Sequence, residues 1–135
     1  MKKNLLRTAL IFIALLLSAS FSLAADFKSR PDCPKSTRPH NCFGKFEWDN
    51  GTKYTGDWQN AKMDGHGIMD YANGDRYVGN WENGKKQGNG RYSYDNGDIC
   101  FGVYQDDLLN GEATCTFADG DILKGIWKNN KFTGL

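Results

Sequence analysis

Four cysteines are the residues best placed for covalent chemistry in this chain: Cys33, Cys42, Cys100 and Cys115. An even count suits two disulfides in an oxidising compartment. Four reduced thiols are the alternative; a zinc site is disfavoured, because the close CxxC spacing of structural zinc sites is absent. His40 and His66 stand in polar neighbourhoods with no serine or cysteine placed as a nucleophile beside them, so they read as surface histidines. Glu47, Asp70 and Glu112 could be paired as glycosidase carboxylates. They fall, however, on the more polar face of the strands predicted below, with no cleft in view. Asp75, Asp98 and Asp121 recur at one spacing, with Thr52 in the same place before them. The twelve-residue EF-hand pattern is missing, which leaves them as solvated turn residues. Lys85-Lys86 reads as a pair of loop charges, too small for a polybasic anchor. No catalytic residue, metal site or cofactor is predicted.

The elements that carry these residues are repeats. YTGDWQNAKMDGHG (54–67) returns 23 residues later as YVGNWENGKKQGNG (77–90), then as CFGVYQDDLLNGEA (100–113) and LKGIWKNNKFTG (123–134). Gly56, Gly79, Gly102 and Gly125 keep that spacing, and so do Gly51, Gly74, Gly97 and Gly120. A third set is Gly65, Gly88, Gly111 and Gly134. The aromatic slot holds Trp58, Trp81, Tyr104 and Trp127. A fixed period of this length marks a repeat architecture.

The pattern YxGxW, a loop and then GxG resembles the MORN repeat over roughly residues 42 to 135. Cys100 and Leu123 replace the tyrosine, and Cys42 and Ala113 replace glycines. The resemblance implies an elongated antiparallel sheet of stacked hairpins. It also implies roles in scaffolding, protein contact or membrane attachment, with no chemistry common to the family.

The residues give the same architecture. Alternation with a period of two marks strands. Asn-Gly and Asp-Gly pairs at 50–51, 73–74, 96–97 and 119–120 mark tight turns, and a longer loop, such as 59–64, is expected at the other end of each hairpin. The fold class is therefore all-β: a single twisted antiparallel sheet of about eight strands. They are placed near 42–48, 52–58, 65–71, 75–81, 88–94, 98–104, 111–117 and 121–127. Centring the hairpin between Ala61 and Lys62 sets Gly56 opposite Gly67 and Trp58 opposite Gly65, leaving room for the indole to lie flat. Trp48, Tyr54, Trp58, Tyr71, Tyr77, Trp81, Tyr92, Tyr94, Tyr104, Phe117 and Trp127 then share one face. The chain supplies no second layer to cover it, so nine of them are read as an interaction face: Trp48, Tyr54, Trp58, Tyr77, Trp81, Tyr92, Tyr104, Phe117 and Trp127. On the other face, Ile99, Phe101, Val103, Ile122 and Ile126 turn a polar pattern apolar. The same register sets Cys100 opposite Cys115, on the pairing line of Tyr54 and Met69, and leaves Cys33 to pair with Cys42.

Residues 1–24 open with Lys2, Lys3 and Arg7, continue with an apolar run from Ala9 to Leu17, and end in Ser22-Leu23-Ala24. That is the pattern of a secretory signal cleaved before Ala25; an uncleaved membrane anchor is the alternative. Residues 25–41 hold Pro31, Pro34 and Pro39 and read as an extended lead. Residues 42–135 form the repeat domain. The signal carries 3 of the 17 basic residues and none of the 16 acidic ones, which leaves 14 against 16, or −2. The repeat domain alone has 10 basic and 14 acidic residues, or −4. That balance disfavours nucleic acid and direct binding to anionic membranes. The expected protein is an exported, secreted or periplasmic scaffold without enzymatic activity, binding a protein partner or a second copy of itself. The strands near 42–48 and 121–127 are expected to be open edges that could template such pairing. The rival is a small ligand- or sugar-binding protein, or enzyme, that uses the aromatic face.

Overall fold

The computed structural model describes residues 31–34 and 40–135. The expected signal segment and most of the lead lie outside the described residues. Among the described residues, nine strands follow one another in a single open antiparallel sheet, each paired with its neighbours in sequence. They are β1 (Cys42–Glu47), β2 (Lys53–Gln59), β3 (Lys62–Asp70), β4 (Arg76–Glu82), β5 (Lys85–Ser93), β6 (Ile99–Gln105), β7 (Leu108–Thr116), β8 (Ile122–Lys128) and β9 (Lys131–Gly134). The ninth strand goes beyond the eight expected. It pairs Trp127 with Phe132, so the stretch 121–127 is not an edge. The expected edge at β1 is also covered. Asp32 bridges Phe43 in parallel, and Phe43 exchanges backbone hydrogen bonds with Pro31 and Cys33.

The two ends of the hairpins are the reverse of the expectation. The Asn-Gly ends are three-residue loops: the Tyr71 N–H donates to the Asp75 carbonyl, the Gly74 N–H donates to the Tyr71 carbonyl, and Gly74 sits at φ +94°. This is the hairpin in which a turn is followed by a left-handed residue, and glycine accepts that conformation without a Cβ clash. The supposed long loops are two-residue turns with positive φ at both positions: Asn60-Ala61, Asn83-Gly84, Asp106-Asp107 and Asn129-Asn130. Asn and Asp tolerate this region better than other side chains. Strands 3, 5 and 7 therefore begin three residues earlier than the glycine pattern suggested.

Gly56 does lie opposite Gly67, but Trp58 faces Met63. A bulge between Gly56 and Trp58 shifts the register, and the shift recurs between Gly79 and Trp81 and between Gly102 and Tyr104. The glycines expected opposite the large rings face the following repeat instead: Gly65 pairs with Trp81, Gly88 with Tyr104 and Gly111 with Trp127.

The bulge explains the tyrosine of the motif. A bulged residue leaves ladder groups unpaired. The Tyr54 hydroxyl donates to the Asp57 carbonyl at 3.0 Å, and the Tyr77 hydroxyl to the Asn80 carbonyl at 3.1 Å. To reach there each ring lies flat over a glycine of the next strand. A Cβ on Gly67 would run into Tyr54, and one on Gly90 into Tyr77. Where Cys100 replaces the tyrosine no ring crosses, and Ala113 stands in the corresponding glycine slot. The two departures from the repeat pattern are one compensated change.

Candidate functional site

The aromatic face is the core of the sheet. Tyr54 and Tyr77 are 0% exposed, and Trp58, Trp81, Tyr104, Met69, Leu109 and Ala113 are buried with them. The rings pack edge to face: Tyr54 to Trp58 at 5.1 Å, Tyr54 to Trp81 at 5.5 Å, Tyr77 to Trp81 at 5.2 Å and Tyr77 to Tyr104 at 5.2 Å. Contacts of this kind add about 0.5–1.5 kcal/mol each beyond the area they bury. The indole N–H groups are used as well, from Trp58 to the Gly44 carbonyl and from Trp81 to the Gly67 carbonyl. At Trp127 the buried Nε1–H has no partner among the described residues, and Ala113 occupies the slot of those two glycines. The remaining residues of the expected face, Trp48, Tyr92, Phe117 and Trp127, are partly buried around this core.

Both disulfides form. Cys33 is joined to Cys42 and ties the lead to β1; Cys100 is joined to Cys115 across directly opposed positions. Their sequence separations are 9 and 15 residues.

Lys86 is not a loop charge. It lies in β5 and carries its ammonium over three rings, 4.7 Å from the Tyr92 centroid and 5.6 Å from those of Tyr77 and Tyr104. Its backbone N–H donates to Asp107 at 2.8 Å. Burial lowers its pKa below the ordinary 10.5, against the opposing pull of Asp107 and Asp75. The same position in the other repeats is Met63, Leu109 and Phe132, so a cation stands in an otherwise apolar slot. That mismatch was visible in the repeat alignment and was the signal for it. Lys85 is the solvent-side member of the pair and meets Asp106 at 3.1 Å.

The tyrosines nearby titrate late. Burial, then Asp107 and Asp75, push Tyr71 up to about 12. Burial also raises Tyr77, Tyr92, Tyr94 and Tyr104. Burial alone would raise Asp75. Hydrogen bonds from the Asp95 N–H, the Tyr92 hydroxyl and the Asn73 amide, together with the charge of Lys86, outweigh it and keep that carboxyl low.

The recurring turn aspartates have a structural task. Asp75 accepts the Asp95 N–H, Asp98 accepts the Ala118 N–H, and Thr52 accepts the Ala72 N–H in the first repeat. At the opposite edge Asp64, Gln87 and Asn110 each accept the N–H of the first residue in the next two-residue turn. Each repeat is thus stapled to its neighbour along both edges. Of the other acidic residues considered, Glu47 pairs with Lys53 and Asp70 with Arg76, which keeps both on the outer face. His40 accepts the Asn60 N–H, and His66 lines a polar groove with Asp64, Asn80 and Gln87.

On the outer face, Phe101 is 58% exposed and Ile122 66%, with Val103 and Ile126 also exposed. Phe101, Val103 and Ile126 line a groove of about 620 Å³ together with Glu112, Thr114, Lys124 and Leu135. Leu109 belongs to the core, while Leu108 is exposed.

Repeat period, bulge, tyrosine cap and crossing glycine together define a class of stacked-hairpin repeat proteins. Residues 54–76, 77–99 and 100–122 match the MORN repeat in three consecutive copies, about half of the chain. The chain belongs to the MORN-repeat family. No curated protein matches it.

Proposed function

We propose that this protein is an exported, non-catalytic binding scaffold that associates with a second copy of itself through the outer face of β6 to β8. The observation that carries this is the pair of apolar ridges, Phe101 with Val103 and Ile122 with Ile126, left in solvent beside a groove. Isolated exposed hydrophobics are ordinary, but neighbouring ones rimmed by polar groups mark contact surfaces. Glu112 and Lys124 both line the groove. In a two-fold interface each could meet its opposite on the partner, which is the self-complementarity a homodimer requires. Export is supported by the N-terminal pattern of residues 1–24 and by two disulfides, which suit a secreted or periplasmic location. The −4 charge of the repeat domain argues against direct attachment to anionic membranes. Sedimentation of the oxidised full chain tests the reading. The wild type should associate reversibly, and Phe101→Lys or Ile126→Lys should be monomeric, with the melting temperature the wild type shows when diluted to the monomer. A monomeric wild type at all concentrations overturns it.

A second reading, sugar or small-ligand binding on the aromatic face, draws support from Asp75 and Lys86 beside Tyr71, Tyr92 and Tyr94. The central rings are sealed, however, and the Lys86 ammonium already lies over Tyr92. Only the rim of that face remains for a ligand.

A further inference from the structure

The rim has its own composition. Its slot is filled by Trp48, Tyr71, Tyr94 and Phe117, one per repeat, at the end of the sheet that carries the three-residue loops. All four keep exposed surface; Tyr94 is 43% exposed. The Tyr71 and Tyr94 hydroxyls and the Trp48 indole N–H donate to no described residue, whereas Tyr54, Tyr77, Trp58 and Trp81 all have acceptors. The turns 48–52, 71–75, 94–98 and 117–121 hold six aspartates and no lysine or arginine. The turns at the other edge, 59–62, 82–85, 105–108 and 128–131, hold four basic and three acidic residues. One long edge is thus acidic and aromatic with open donors, and the other is nearly balanced.

Spacing selects the shape of an occupant. The aromatic slot recurs every second strand, which at strand separations near 4.8 Å is about 9.6 Å. A polyproline II segment repeats every three residues at ~3.1 Å each, or about 9.3 Å. Such segments expose every backbone carbonyl and are gripped elsewhere by aromatic ladders with free N–H and O–H donors. The aspartates add the sign of the partner's charge. We propose that this edge is a docking strip for an extended, proline-rich, basic segment of a partner protein. The rings take the proline faces, Tyr71, Tyr94 and Trp48 donate to its carbonyls, and the turn aspartates meet its arginines. The site deepens the binding-scaffold reading but uses a different surface from the self-contact.

The test is fluorescence anisotropy with the full chain and a labelled peptide of four arginine-proline-alanine repeats. Two control peptides replace every proline by glycine or every arginine by glutamate. The wild type should bind the first peptide, more weakly as salt rises, and bind both controls far less. Tyr94→Ala should weaken binding at least about tenfold, as loss of an anchoring aromatic does. Asp49→Asn with Asp95→Asn should weaken binding and flatten its salt dependence; neither side chain accepts a hydrogen bond from the described residues, so the melting temperature should hold. No binding of the arginine-proline peptide, equal binding of the glycine peptide, or full affinity in Tyr94→Ala each overturns the proposal. If the peptide fails while Phe101→Lys still dissolves the self-association, the scaffold reading stands and only the docking strip is lost.

Discussion

Replacing Gly90 by alanine isolates the device on which each hairpin depends. Gly90 lies in ordinary extended backbone within β5, so a methyl group is opposed only by its surroundings. Those are the hydroxyl, Cε2 and Cζ of Tyr77. The ring cannot move aside: it is 0% exposed, bonded to the Asn80 carbonyl, and packed against Trp81 and Tyr104. Overpacking typically costs about 1–3 kcal/mol. With ring and backbone both fixed, the expected cost of Gly90→Ala is near the upper end, about 3 kcal/mol. Tyr77→Ala alone should cost roughly 3–5 kcal/mol as the loss of a buried aromatic. In that background Gly90→Ala should be neutral, or stabilising by up to ~1 kcal/mol, because alanine restricts the unfolded chain more than glycine. Urea melts of the four proteins in the double-mutant cycle read the coupling, expected at about 3 kcal/mol. The natural chain already contains the relieved combination, Cys100 with Ala113. An equal cost of Gly90→Ala in both backgrounds would falsify the crossing-ring account.

Removing the Cys100–Cys115 bridge by double alanine substitution should lower stability by up to ~3 kcal/mol, the chain-entropy figure for a loop of this size; unreduced peptide mapping should show that linkage, and a Cys33–Cys100 linkage would break the register. At alkaline pH, Tyr71 and its neighbours have folded-state values above the ordinary 10.0, so their contribution is complete below pH 10 and is lost as pH rises above it, through about 12 for Tyr71 and higher for Tyr77, Tyr92 and Tyr104. Lys86, whose value is lowered, works the other way, gaining stability as pH nears 10.5, but five raised tyrosines outnumber it. Absorbance at 295 nm should therefore lag and then rise with unfolding, and full tyrosine ionisation near pH 10 in a folded protein would contradict this. Ala61 adopts φ +62° where Gly84 stands in the next repeat, so Ala61→Gly should stabilise the sheet by roughly 0.5–1 kcal/mol in thermal melts; a loss of stability would contradict the strain.

Period and alternation made the sheet legible, because both depend only on which residues face the same way. The opposition of Gly56 and Gly67 and of Cys100 and Cys115 follows from counting around a hairpin. The bulge does not. It appears only when the twist of the strands and the two-residue turns are known, and it moved Trp58 from Gly65 to Met63. The two hairpin ends were exchanged because Asn-Gly is at home in both loop types: Asn83-Gly84 forms the two-residue kind, and Asn73-Gly74 falls within the three-residue kind. Lys86 was legible only by comparing slots across repeats. Its neighbour Lys85 made the pair look like a charged loop. Sealing of the central rings was missed because one layer of sheet was expected to leave its face open. Rings lying flat over glycines cover that face from within.

The separation of core from contact surface is the central claim, and paired melting and sedimentation on two variants tests it. Trp81 is 5% exposed and Phe101 58%. Trp81→Ala should lower the melting temperature steeply, with a loss of about 3–5 kcal/mol. It should leave the remaining folded protein able to associate. Phe101→Lys should abolish association and melt where the wild type melts when diluted to the monomer. The opposite pattern, with Trp81→Ala dissociating the protein at full stability while Phe101→Lys still associates, would place the interface on the aromatic face and contradict the account.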